Sequence, residues 1–93
     1  MKFEWDPVKN EINISKHGVS FIEAETVFED DLAFEIYDEK HSEYEDRYII
    51  IGASTKTDKL TVCHCYSNGD GIIRIFSARR ANKNEIILYE RRK

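Results

Sequence analysis

Four runs rich in β-branched and aromatic residues follow one another between Ala33 and Ala78: "AFEIYD", "RYIIIGAS", "LTVCHCY" and "IIRIFSA". What separates them constrains the fold most. The joints are the polar, acidic loop "HSEYED", the turn "TKTDK" and the segment "SNGDG", built on the hairpin dipeptide Asn68-Gly69. A parallel crossover needs about a dozen residues or more, usually helical. These joints are shorter, so the runs predict a four-strand antiparallel meander.

The flanks read as helix. "FEWD" opens the chain as a short strand candidate, and Asp6-Pro7 then starts a helix well. Asp6 can accept from the free N–H groups of the first turn, and proline at the first helical position loses nothing by lacking its own. Val8 and Ile12 share one helical face, and Gly18 ends the helix in a conformation that glycine accepts readily. Ser20-x-x-Glu23 is a capping-box pattern that opens a second helix, in which Phe21, Ala24, Val27 and Phe28 recur at helical spacing. Asn82-x-x-Glu85 repeats the pattern, so a final helix begins near Asn82. The expected class is α+β: two N-terminal helices, the meander with a short N-terminal strand candidate beside it, and a C-terminal helix. Segregated helices and strands imply layers. Phe21, Ala24, Val27 and Phe28 are expected to be buried against the sheet.

Residues 1–93 make one domain, since a chain of this length has no room for two cores, and 41% hydrophobic residues suffice for a modest one. The longest apolar stretch, from Tyr48 to Ala53, is far too short to span a bilayer, and "MKFEWDPVKN" carries no apolar signal region. Both point to the cytoplasm. Cys63 and Cys65, two residues apart on one strand, are poorly placed for a disulfide and read as reduced thiols.

Charge is unevenly spread. The formal net charge is −4, yet Ser20–Arg47 holds eleven acids against two bases, and Ile72–Lys93 holds seven bases against two acids. So acidic a chain does not coat nucleic acid with its whole surface; one basic strip can still follow a phosphate chain.

Three segments, "FEWDPVKNEINISKHGVSFIEAETVFED", "HSEYEDRYIIIG" and "IRIFSARRANKNEIILYE", together resemble the BrnT family, toxins of type II toxin–antitoxin modules similar in fold to the RelE ribonucleases. The likeness runs from Phe3 to about Glu90, carried by the opening "WD-x-x-K-x-x-x-N-x-x-KHG" and the ending "SARRA…E…Y" in that order. One departure stands out: family members commonly carry arginines directly after the glutamate of the last helix, where this chain has Ile86 and Ile87. The resemblance implies an RNA-cleaving toxin that stops translation, acting on RNA either free or on the ribosome. It also implies a BrnA-like antitoxin with a ribbon-helix-helix part, through whose complex alone DNA is bound. No membrane and no cofactor is implied.

Cleaving RNA without a metal uses the neighbouring 2′-OH as nucleophile. A base takes its proton, an acid protonates the leaving 5′-oxygen, and cations stabilise the phosphate. Arginine's planar fork suits the last task, and histidine suits either proton transfer. By strand alternation His64 shares a face with Leu60, Val62 and Tyr66, and Arg74 shares one with Ile72 and Phe76. A symmetric hairpin over Ser67–Gly71 would pair His64 with Arg74 directly, on one face. The candidate catalytic residues are therefore His64, Arg74, Arg79 and Arg47, and the candidate RNA contacts are Arg80, Lys83, Lys16, His17 and Tyr89. Structural readings stand beside these. His64 can be a space-filling strand residue and Arg74 a partner for an acid. Arg47 can be structural or antitoxin-binding, Lys16-His17 can complement a helix dipole, and Tyr89 can be core. A metal centre at Cys63-His64-Cys65 is not expected, because the cysteines and the histidine point to opposite faces. The alternative function is a non-catalytic binding module, a degenerate toxin that mainly holds its antitoxin or acts as co-repressor.

Overall fold

The computed structural model describes residues 1–67, 69 and 71–92. The elements follow the order β1 (Lys2–Glu4), α1 (Pro7–His17), α2 (Phe21–Thr26), β2 (Phe34–Tyr37), β3 (Tyr48–Ala53), β4 (Lys59–Ser67), β5 (Ile72–Arg80) and α3 (Lys83–Glu90). Single 3-10 turns follow α2, at Val27–Glu29, and β2, at Glu39–His41. Strands β2 to β5 form the antiparallel meander. The short N-terminal strand joins it in parallel beside β5, so the five-stranded sheet is mixed, in the order β1-β5-β4-β3-β2.

Local chemistry sets the helix ends. The Asp6 carboxylate accepts from Val8 N–H, and Pro7 follows it. Gly18 closes α1 at φ 70°, its N–H donating to Ile14 O at 2.8 Å. Ser20 Oγ accepts from Glu23 N–H, but the Glu23 carboxylate takes the Ser54 hydroxyl at 2.8 Å, which ties α2 to the end of β3. At Asn82 both halves of the capping box form. The face shared by Val8 and Ile12 points to solvent, and it is Asn13 that α1 turns inward.

Helix α1 packs beside the outer edge of β5, where Asn13 bonds Ala78, and α2 covers one face of the sheet. Val19, Phe21, Ala24 and Val27 are fully buried there against Ile50, Leu60, Val62, Ile73, Ile75 and Ala78, with Phe28 partly buried at the margin. Each such Val, Leu, Ile or Phe side chain contributes roughly 1.5–3 kcal/mol. Helix α3 lies on the other face. Glu85 meets the outward side chains of Thr61 and Arg79 there, and Tyr89 reaches Asp30. Helices α2 and α3 thus sandwich the sheet, where one-sided packing was expected.

Two register details decide which side chains share a face. Strand β4 continues through Ser67, which pairs with Ile72, so the connection is one residue shorter than the symmetric turn. Cys65, not His64, therefore faces Arg74, and His64 faces Ile75. The second detail is a bulge between Cys63 and His64: Ser77 pairs with Cys63 and Ile75 with His64, leaving Phe76 as the extra residue. The bulge resets alternation, so Arg79 shares the face of Ser77, Cys63 and Thr61, while Arg80 turns to the helix-packed face. Of the expected hairpin turn, Asn68 and Asp70 lie outside the described residues; Gly69 has φ 66°.

Candidate active site

The face opposite α2 is only partly covered by α3. The rest forms a cleft of about 350 Å³ lined by Lys9, Asp38, His41, Arg47, Ile49, Thr61, Cys63, Phe76, Ser77 and Arg79. Its floor is the outward side of β3, β4 and β5. Its wall is the loop between β2 and β3.

That loop is pinned by its own backbone. Asp38 N–H donates to Arg47 O at 2.8 Å, which closes the loop's base. Inside, Ser42 Oγ donates to Asp38 O at 2.6 Å and accepts from Arg47 N–H at 2.9 Å. The closure holds Asp38, His41 and Arg47 at the cleft. His41 Nδ1 lies 2.8 Å from an Asp38 carboxylate oxygen, and the histidine side chain remains exposed. A carboxylate at that nitrogen fixes the proton on Nδ1 and leaves Nε2 to exchange protons with a ligand.

Cations gather around the bulged Phe76. The Arg47 guanidinium carbon stands 3.8 Å from the Phe76 ring centroid, and Lys9 Nζ stands 5.6 Å from it. Both distances fall within the range of cation–π attraction. Arg47 also donates to a Glu45 oxygen through Nε (3.2 Å) and Nη2 (3.1 Å). Across the cleft, Arg79 meets Glu85 in a two-pronged pair, at 2.8 and 3.1 Å. Glu85 further accepts from Thr61 Oγ1 and Asn82 N–H. Burial pushes the Glu85 carboxyl up; the bonds from Arg79, Asn82 and Thr61 outweigh it and hold the carboxyl below its usual range. The bond to Glu85 in turn raises the Arg79 pKa. Cys63 stays a thiol, its pKa pushed up by burial and then by the Asp38 charge.

The structure separates residues that the sequence reading placed together. His64 and Arg74 lie on opposite faces, which corrects the expected pair. His64 is fully buried among Phe28, Tyr48 and Tyr66, with Nε2 2.6 Å from Glu35 Oε1 and Nδ1 3.1 Å from Val62 O. Tyr66 donates to the same Glu35 oxygen. Arg74 is on the open face but pairs with Glu4 of β1 at 2.9 Å. The expected basic strip is likewise divided: Arg79 enters the cleft and Arg80 turns away to Asp58. Lys16 and His17 close the last turn of α1, Lys83 is exposed at the start of α3, and none of the three lines the cleft. Tyr89 is buried and donates to Asp30 at 2.7 Å; burial, then Asp30, push its pKa up to about 12. Arg47 and Arg79 are the two predicted residues that the cleft brings together. Lys9, Asp38 and His41 were missed as site residues, although Lys9 stands in the opening "WD-x-x-K" pattern and His41 opens the acidic loop.

Fold and cleft define a class: a small α+β domain with a histidine–carboxylate pair and three cationic side chains around one open sheet face. The family described as "Ribonuclease toxin, BrnT, of type II toxin-antitoxin system" matches residues 5–85, and the chain belongs to it. Among solved structures, the Brucella abortus ribonuclease toxin BrnT is similar, with a TM-score of 0.66 and 26% sequence identity over 89% of this chain and 99% of that one. No curated protein matches the chain.

Proposed function

We propose that this chain cleaves RNA at the cleft between the β2–β3 loop and the bulge of β5, without a metal ion. The observation that carries the reading is the His41–Asp38 pair standing in the same cleft as Lys9, Arg47 and Arg79. His41 Nε2 takes the proton of the 2′-OH. The 2′-oxygen attacks the adjacent phosphorus, the bond to the 5′-oxygen breaks, and Lys9 supplies the proton to that oxygen. The products are a 2′,3′-cyclic phosphate and a 5′-OH. Arg47 and Arg79 carry the charge that builds on the phosphate, already oriented by Phe76 and Glu85.

Among the described residues, no group of three or more His, Cys, Asp or Glu side chains could hold a metal ion. The chain acts as a toxin in the cytoplasm, where cutting RNA, free or on the ribosome, stops translation. A BrnA-like antitoxin with a ribbon-helix-helix part neutralises it and carries the complex to DNA. Among the described residues, no helix is long and apolar enough to cross a membrane.

The test is incubation of the purified protein with RNA in excess chelator, with end-group analysis. Cleavage leaving cyclic phosphate ends is expected. No cleavage in either chelator or added divalent ions, with retained binding to a small DNA-binding partner, would establish the non-catalytic binding module instead.

A further inference from the structure

Strand β2 is one of the sheet's two edge strands, and its burial pattern is that of a surface element. Ile36 is 40% exposed and Tyr37 48% exposed, on opposite faces of the sheet. The phase of its hydrogen bonding follows from the loop base. Asp38 N–H bonds Arg47 O, and antiparallel pairs alternate, so Ile36 and Phe34 bond inward to β3. The N–H and C=O groups of Glu35 and Tyr37 then point away from the sheet. Among the described residues no strand pairs with that edge.

The edge carries a two-sided code. On the helix-packed face stand Glu35, Tyr37 and, behind them, Tyr48 and Tyr66, whose rings succeed one another at 5.5 Å. That face offers aromatic faces and the second oxygen of a Glu35 carboxylate whose Oε1 holds His64 and Tyr66, and both attract cations. The opposite face offers Ile36. Exposed acids flank the strand at Asp31, Glu39 and Asp46. Arg92 stands at one end, its Nε donating to Leu32 O and its guanidinium over Phe34.

We propose that the outer edge of β2 receives an extended segment of a protein partner in which arginine or lysine alternates with apolar residues, added as a sixth strand. Its cations meet Glu35 and Tyr37, its apolar side chains meet Ile36, and its backbone takes the outward groups of Glu35 and Tyr37. A second copy of this chain is disfavoured there, because pairing β2 with itself sets Glu35 and the flanking acids against their own kind. RNA phosphates meet the same repulsion. The inference goes beyond the ribonuclease reading and does not rest on it.

The test uses a capped hexapeptide of alternating arginine and valine, and a control of the same composition in two blocks. Exchange of the Glu35 and Tyr37 amides is followed by NMR. The alternating peptide is expected to slow both at least about tenfold, the block peptide to leave them unchanged, and Ile36→Lys to weaken binding about tenfold with the circular dichroism spectrum unchanged. Equal binding of the two peptides overturns the proposal, as does protection centred away from β2. So does protection of the same amides by an oligouridylate or by self-association of the chain.

Discussion

Replacing Asn13 by alanine should cost this fold about 3–6 kcal/mol. The figure comes from the edge of β5. Among the described residues, strand β1 pairs with Ile72, Ile73 and Arg74, and further along, the edge of β5 has no strand neighbour. At Ala78 the buried Asn13 side chain takes that role: Nδ2 donates to Ala78 O and to Val19 O, each at 2.8 Å, and Oδ1 accepts from Ala78 N–H at 3.1 Å. Truncation leaves three buried backbone groups without that partner, each worth about 1–3 kcal/mol, with the carbonyls at the low end. A small domain holds only about 5–15 kcal/mol in all. Asn13→Asp keeps the shape but turns an oxygen toward two carbonyls, and should cost at least as much. Equilibrium urea unfolding at neutral pH measures both. A loss below about 1 kcal/mol for Asn13→Ala would refute the argument, because it would mean that water or a shifted α1 replaces the amide at no cost.

Phe21→Ala, at a fully buried ring beside Trp5, should cost about 3–5 kcal/mol in the same assay. Glu85 contributes stability that is present above its unfolded pKa and is lost as pH falls through its depressed folded value. Thermal stability of the parent should therefore drop below about pH 4.5 more steeply than that of Glu85→Gln. Tyr89 is shifted the other way: its contribution is complete below the unfolded pKa near 10 and is lost as pH rises toward about 12, so Tyr89→Phe should flatten the alkaline limb of the stability curve.

Most of the fold is legible in the sequence because its signals are local. The Asp6-Pro7 start, the Gly18 stop, the Asn82-x-x-Glu85 box and the four alternating runs each act within a few residues. The site is less legible because it rests on single-residue offsets and distant closures. Whether β4 ends at Tyr66 or Ser67 decides what faces Arg74. Phe76, bulged out of "IIRIFSARR", decides whether Arg79 or Arg80 enters the cleft. Composition does not set either choice. His41 sits in a segment whose polarity reads as a solvated loop. What draws it to the sheet is the Asp38–Arg47 bond and the Ser42 hydroxyl, contacts between residues that pattern alone does not pair. His64, on an alternating strand and expected as a catalytic residue, is core, while His41, which carried no expected role, lines the cleft.

In the proposed mechanism His41 performs proton transfer while His64 supports the fold. Cleavage of one defined RNA in excess chelator, by the parent, His41→Ala and His64→Gln, tests it most directly once each variant's folded fraction is fixed by circular dichroism. His41→Ala is expected to fold like the parent and to lose about 10²–10⁴-fold in rate, the usual worth of a general acid or base. His64→Gln should unfold more readily, yet cleave at nearly the parental rate per folded molecule. Full activity in His41→Ala, or a folded His64→Gln that no longer cleaves, would contradict the mechanism.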